Sequence, residues 1–401
     1  MTSSPAPVLR LKRGEERRLR AGHLWVYSNE VDTKHSPLKG LEPGGEVVIE
    51  DHRGRALGRA YANPESLICA RLFSRKAEQS LSRSFLKKRI AAALEMRERL
   101  FPARSYRLVF GEGDGLPGLI VDRFGDDLVL QSGTAGMDRA LDDVAHVLEA
   151  VCQPRSLVAK NDAGVRRLEG LESEIRVLVG DMPEHLALEE NGLPFEAPVE
   201  DGQKTGWFYD HRAARRRLPA LSRDMRVLDV FSYCGAWGVT AAAHGAAGVR
   251  CVDSSASALA FARRNAERNT VADRVETVQA DAVTAMKEMA AAGERYDLVI
   301  LDPPSFIKRR KDFRNGLAGY HNINELAMRL LEPGGYLVSA SCSMHLSREK
   351  LLDVVRASGR HIDRFVQVLA GDGQSEDHPV HPAIAETAYL KSWLCRVTAN
   401  P

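Results

Sequence analysis

The chain has 401 residues, 44% of them hydrophobic and 27% charged; this is a globular composition, too long for one ordinary core, so two or three domains are expected. No apolar run approaches the roughly eighteen residues of a membrane span, and the first residues carry no apolar signal core, so a cytoplasmic location is expected. The six cysteines are scattered with no CxxC pair, which argues against zinc and disulfides and for free thiols in a reducing compartment.

Net charge is only +2 but uneven: residues 1–90 hold 18 Lys/Arg against 10 Asp/Glu. A basic N-terminal module suits a polyanion such as RNA, and a solvated basic surface accounts for the charge equally well. Residues 8–75 read as β-rich, with short apolar runs (Glu46–Ile49, Leu67–Phe73) between Gly/Pro/Asp turns. Over 80–101, Phe85, Leu86, Ile90, Ala93, Leu94 and Leu100 recur at helical spacing opposite a Lys/Arg face.

Residues 106–190 read as a compact α+β unit in the order strand, strand, helix, strand, strand. Its parts are a strand at Arg107–Phe110, a hairpin over 119–131, a helix over 137–151, and strands at 156–160 and 175–179. The glycine-rich Gly111–Gly118 resembles a phosphate cradle, but no helix start follows it, which makes it a turn. Residues 185–215 carry a further hairpin. The expected domains are therefore 1–78, 79–190 and 191–401.

From 224 onward strands and helices alternate, the pattern of a doubly wound parallel sheet in an α/β fold. Val227–Asp229 is an apolar strand stopping in an acid and turning through Gly235 and Gly238 into a helix. A second strand ends at Asp253, 24 residues after Asp229, and a third runs from Asp297 to Asp302-Pro303-Pro304. Ligands sit beyond the carboxyl ends of such strands. GxGxxG and GxxxxGK[ST] are both missing from the turn, so a cationic, phosphate-free nucleoside such as S-adenosylmethionine fits best. Asp253 suits its ribose hydroxyls and Asp281 its adenine amino group, with the two glycines allowing close approach. Any one of these acids is as easily a helix N-cap; the set of four (Asp229, Asp253, Asp281, Asp302) points to a cofactor.

The stiff Asp302-Pro303-Pro304 turn suits a flat nucleobase. Cys342 ends the next strand, expected beside the one ending at Asp302. A thiolate can add to C6 of a pyrimidine and make C5 nucleophilic; the ordinary reading is a buried packing cysteine. Cys234, in the cofactor turn, is the rival thiol. Glu386, His378 and His381 are candidates for the base that removes the C5 proton, and no metal-ligand spacing is present.

With these residues in view, the chain resembles the RlmI-type family of 23S ribosomal RNA large-subunit (cytosine-5) methyltransferases over nearly its whole length. The resemblance rests on Gly113–Gly125, Gly202–Arg212, Val227–Tyr233, the Asp-Pro-Pro turn, Ser341-Cys342-Ser343, His378-Pro379-Val380 and Tyr389-Leu390-Lys391. It implies an N-terminal PUA-like RNA-binding domain, a small α+β domain and a C-terminal Rossmann-like class I methyltransferase domain. It implies methyl transfer from S-adenosylmethionine to C5 of a cytosine in rRNA, before full subunit assembly, by a homodimer. By it, Cys342 attacks C6, Asp302 holds the base edge, and Glu386 removes the proton. Residues 203–210, with Thr205, Phe208 and Asp210, would cover a cofactor also contacted by Phe231, Tyr233, Gly235 and Pro303. The chain departs from the family's pattern at Ser305, where lysine often follows Asp-Pro-Pro, and at Trp207 and His211. Two other readings share the motifs: a class I enzyme acting on a base nitrogen, which needs no cysteine, and a non-catalytic RNA-binding assembly factor.

Overall fold

The computed structural model describes residues 6–400. By internal contacts it divides into two compact units: residues 1–186, 203–207 and 377–387, and residues 187–202, 208–376 and 388–401.

The first unit contains two five-stranded sheets. One is built from β1 (Val8–Arg10), β2 (Trp25–Tyr27), β3 (Glu46–Glu50), β4 (Ala56–Ala62) and β5 (Ile68–Ser74), in the order β1-β3-β4-β5-β2, with the short helix α1 (Glu16–Arg20) after its first strand. Alternation puts Val47 and Ile49 inward, with Leu9, Leu11, Val26 and Leu72, into a small core of their own. The second sheet, β10-β9-β8-β7-β6, uses β6 (Ser105–Phe110), β7 (Leu119–Phe124), β8 (Asp127–Ser132), β9 (Ser156–Asn161) and β10 (Glu174–Val179).

Its helices are α2 (Arg83–Leu100), α3 (Ala135–Arg139) and α4 (Leu141–Cys152). Between α2 and α3 run three strands, the expected strand at 107–110 and the two arms of the expected hairpin over 119–131. The Gly111–Gly118 segment turns the chain fully back, so Phe110 pairs with Ile120. The segment is the expected turn, with left-handed Gly115 and Gly118. The expected helix at 137–151 is broken at Ala140, and Gly136 in its first turn lies close against the Tyr61 ring. Buried Glu169 ties the two sheets together, accepting from Asn63, Ser66 and Arg71.

The second unit opens on a hairpin of β11 (Leu186–Glu190) and β12 (Leu193–Ala197), followed by the short helices α5 (Arg212–Arg215) and α6 (Leu218–Leu221). A seven-stranded sheet follows, made of β13 (Arg226–Val230), β14 (Gly248–Asp253), β15 (Val275–Gln279), β16 (Tyr296–Leu301), β17 (Leu331–Ser341), β18 (Arg364–Asp372) and β19 (Lys391–Ala399). Its order is β15-β14-β13-β16-β17-β19-β18. The first five strands are parallel and β19 is antiparallel to both neighbours.

The helices of this unit are α7 (Ala236–Ala243), α8 (Ala256–Arg268), α9 (Ala282–Ala291), α10 (Phe313–Arg329) and α11 (Arg348–His361). Ser255 and Ser347 cap α8 and α11 by accepting from Ala258 and Lys350 amides. Strands β13 and β16 carry continuous apolar runs because both faces are covered, and Leu228, Val230, Val299 and Leu301 are fully buried. Strand order reverses between β13 and β16, which puts a crevice beyond Asp229 and Asp302.

Candidate active site

The loop after β13 makes its turn through three left-handed residues, Phe231 (φ 66°), Tyr233 (φ 49°) and Gly235 (φ 77°). Left-handed backbone at two aromatic residues is strained and is held only where the surroundings fix it. Here Phe231 and Ser232 amides donate to Val252 O, and the Tyr233 amide donates to Asp253 Oδ2 at 2.9 Å. Asp253 Oδ1 accepts from the Ser255 amide at 2.9 Å. Each Asp253 oxygen keeps a second lone pair, so the carboxylate is fixed in orientation and still able to accept two hydroxyls.

Asp229 is fully buried. One oxygen, Oδ2, accepts from the Gly238 amide at 2.8 Å, while Oδ1 has no partner. Burial pushes the carboxyl up to about 7; the Gly238 amide opposes that and the charges of Asp302 and Asp253 add to it. A half-satisfied buried acid among other acids fits a ligand that brings positive charge and N–H donors, as the methionyl end of S-adenosylmethionine does. The two glycines serve differently than expected. A Cβ on Gly238 would lie 2.6 Å from Cys251 Sγ and 3.0 Å from Val249, so it lets α7 lie close to the sheet rather than to a cofactor. Gly235 supplies a positive φ, and a Cβ there would press on α8 at Ala262.

Asp281 caps α9, accepting from the Thr284 amide and hydroxyl; the amide bond holds its carboxyl below the usual range. It is exposed at the end of β15, so the N-cap function that any such acid can perform is present here.

Asp302 ends β16 with its side chain 21% exposed. His211 Nε2 lies 3.0 Å from Oδ1, and Trp237 Nε1 donates to Oδ2 at 3.0 Å. Burial pushes this carboxyl up, but the His211 charge and the bonds from His211 and Trp237 outweigh it and hold it below its ordinary value. It is a fixed carboxylate, with both oxygens already engaged by protein. Pro303 is buried behind it.

β17 runs beside β16, with Leu301 opposite Ser339, so Cys342 and Asp302 emerge from adjacent strands as expected. Cys342 is half-buried; the other five cysteines are buried. A hydroxyl cluster fixes its turn. Ser343 Oγ lies 2.8 Å from both Ser305 Oγ and Tyr320 Oη, and Ser341 Oγ donates to Tyr320 Oη at 2.8 Å. Ser305, the departure from the family's pattern, is thus the link between the Asp-Pro-Pro turn and the cysteine turn. Phe306 stacks at a tilt on Tyr320, 4.8 Å away, and meets Phe231 edge-on.

The other expected residues are distributed over both units. Phe208 and Asp210 belong to the second unit: Phe208 meets Tyr233 edge to face at 5.4 Å, and buried Asp210 accepts from Tyr389 Oη. Thr205 belongs to the first unit, where its buried hydroxyl donates to Asp122. Glu386 also belongs to the first unit, exposed in a short turn, and its charge reaches His23 and Tyr27. His378 is buried against Phe110 with Nδ1 2.8 Å from Asp377, and His381 Nδ1 accepts from the Ala383 amide; both organise a loop. Burial drives the Cys234 thiol far up, which leaves it a packing residue.

Sequence reasoning missed the partners of Asp302. His211 appeared only as a departure from the family's pattern and Trp237 only as part of the turn. Each lies in a different element from Asp302, so no spacing rule connects them.

Known proteins resemble this chain over nearly its whole length. Residues 9–75 match the profile of a PUA-like domain, and residues 137–396 match that of S-adenosylmethionine-dependent methyltransferases. Ribosomal RNA large subunit methyltransferase I of Cronobacter sakazakii is 34% identical over 96% of this chain and 98% of its own length. The protein of that name from Klebsiella pneumoniae is 34% identical over 99% and 100%. This chain belongs to that methyltransferase family. Its cofactor is S-adenosylmethionine. A solved structure described as a SAM-dependent methyltransferase from Streptococcus mutans superposes with TM-score 0.82 at 21% identity, covering 97% of this chain and all of that one. A methyltransferase complexed with SAH does so at 0.83, also at 21%. At that identity the two support the fold. No helix among the described residues is long and apolar enough to cross a membrane.

Proposed function

We propose that the protein methylates C5 of a cytosine in large-subunit ribosomal RNA, using Cys342 as a covalent nucleophile. The observation that carries this reading is the pairing at adjacent strand ends of a half-buried cysteine with a fixed, ionised Asp302. S-adenosylmethionine, when bound, supplies an electrophilic methyl group. The chain's own residues do the rest. Cys342 thiolate bonds to C6 and the pair of electrons from the C5–C6 bond moves to C5, which then gains the methyl group. Asp302 holds the base at its N3/N4 edge, accepting from N4 through a free lone pair. A base then takes the C5 proton, and the C6–S bond breaks to return the thiolate. Glu386 is the residue assigned to that last proton, on the family resemblance alone. Asp229 and Asp253 hold the cofactor at the β13 and β14 ends, with Phe231 and Tyr233 lining it, and Asp281 reaches the adenine through the oxygen not used in capping.

The RNA assignment draws on the relatives' names and on the first unit's basic module. A cavity of about 960 Å³ there is lined by Arg18, Arg75 and Arg89, by Glu112 and Asp114, and by Leu72, Phe73 and Met96. Its guanidinium groups beside apolar side chains suit an RNA segment.

The test supplies methyl-labelled cofactor and protein-free large-subunit rRNA, digests the product to nucleosides, and runs Cys342→Ala in parallel. Label in 5-methylcytidine, reduced roughly a thousandfold or more in the variant, is expected. Label in a base-nitrogen product, or an unimpaired variant, sinks the reading. Glu386→Gln should trap the Cys342–RNA adduct; fast turnover in that variant gives the proton to another base.

A further inference from the structure

Lys391, the first residue of β19, stands opposite Ser341 in the β17–β19 register and turns its side chain into the cysteine turn. Nζ donates to the carbonyl oxygens of Ser343 and Tyr389, the latter at 2.8 Å. Lys391 is 5% exposed. Two carbonyls occupy two of its three donors, but they carry no charge, and a buried ammonium without an anion is costly. No carboxylate among the described residues is an influence on this ammonium; the Cys342 charge is.

We propose that Lys391 is a positioning residue that holds Cys342 as the thiolate, its ammonium being the counter-ion of the sulfur. The proposal rests on Cys342 being the nucleophile. In proton terms the pair is one equilibrium: the thiol proton passes to the amine, leaving S⁻ beside NH₃⁺. Burial brings the ammonium down to about 8, near the ordinary thiol range, with the Cys342 charge opposing part of that fall. The two groups therefore compete for one proton, and their titrations are coupled.

Other titratable and charged groups lie near the cysteine turn. Tyr320, from α10, faces the same turn, but burial raises its hydroxyl, so it stays neutral and donates within the Ser341–Ser343 cluster. His345 follows three residues on, half-buried in the same loop. Asp302 has His211 and Trp237 as its donors, so it does not draw on the Lys391 charge.

The experiment is the pH profile of Cys342 alkylation by iodoacetamide in the full-length protein, read at the peptide level by mass spectrometry, for wild type, Lys391→Met and Lys391→Arg. The wild-type midpoint is expected below the usual thiol value of about 8.5. Lys391→Met should raise it by at least about one unit, cutting alkylation at pH 7 about tenfold, and Lys391→Arg should keep most of the depression. An unchanged profile in a Lys391→Met protein that still binds S-adenosylmethionine overturns the proposal. So does a wild-type midpoint at or above about 8.5, which needs no variant to fold. Alkylation requires neither RNA nor methyl transfer. Failure to form 5-methylcytidine with a Lys391-dependent midpoint therefore removes the function proposed above and keeps the lysine–thiolate pair, and 5-methylcytidine with a Lys391-independent midpoint does the reverse.

Discussion

The two halves of the seven-stranded sheet end in opposite electrostatics. At the ends of β13 and β14, Asp229 and Asp253 are satisfied by backbone amides, and Asp229 keeps a buried oxygen with no donor. At the ends of β16 and β17, Asp302 lies between an imidazole and an indole N–H, and the Cys342 turn has a buried ammonium at its back. Negative charge is left open on one side and compensated on the other. The open half suits a ligand that brings its own positive charge, and on the function proposed above the compensated half would keep anions stable beside a neutral base.

The strongest way to break that comparison is at Asp253. Asp253→Ala removes a carboxylate already aimed by two amides, and affinity for S-adenosylmethionine should fall about a hundredfold, the loss of two charge-assisted hydrogen bonds. Cys342→Ser, on the other half, should leave that affinity unchanged. Isothermal titration of both variants decides it; equal losses would mean that the halves are not separate sites.

Gly238→Ala tests the packing beneath the open half. The new methyl carbon would lie 2.6 Å from Cys251 Sγ and 3.1 Å from Asp229 Oδ2, so α7 must shift outward. Overpacking of this kind costs about 1–3 kcal/mol, measurable by urea unfolding, and cofactor affinity should fall with it because α7 also supplies the amide on Asp229. Full stability in the variant would show that α7 is free to move.

The cofactor half was more legible in the sequence than the substrate half. Asp229 and Asp253 announce themselves because an apolar run must end where the sheet ends, and an acid there stands out against its neighbours. Cys342 stands out in the same way, at the end of the apolar run of β17. What the sequence hid were the groups that act on these residues across the fold. Trp237 and His211 reach Asp302 from 65 and 91 positions away in chain order, and Lys391 lies in an antiparallel strand inserted beside β17. An alternating strand–helix pattern predicts parallel neighbours and says nothing about that insertion. Gly238 was misread for a related reason: a glycine after a strand can face a ligand or the sheet, and only the packing of α7 on Cys251 decides.

The smallest effect is the most specific to the open half. Asp229 has its carboxyl raised by burial from 3.8 to about 7. An acid raised on folding contributes stability that is complete below its unfolded value and is lost as pH rises through about 7. Without cofactor, the stability of the wild type relative to Asp229→Asn should therefore decline from about pH 4 to about pH 7, where the unfolded carboxyl is ionised and the folded one still protonated, and level off above. A cationic ligand reverses the balance by favouring the ionised form, so binding at pH 7 should expel about half a proton per site. Calorimetric titrations of S-adenosylmethionine in phosphate and in Tris give that number from the difference in heat, and Asp229→Asn should bring it to zero. Heats independent of buffer in the wild type would mean that Asp229 is already ionised before the ligand arrives, and that the charge asymmetry between the two halves is compensated by the protein itself.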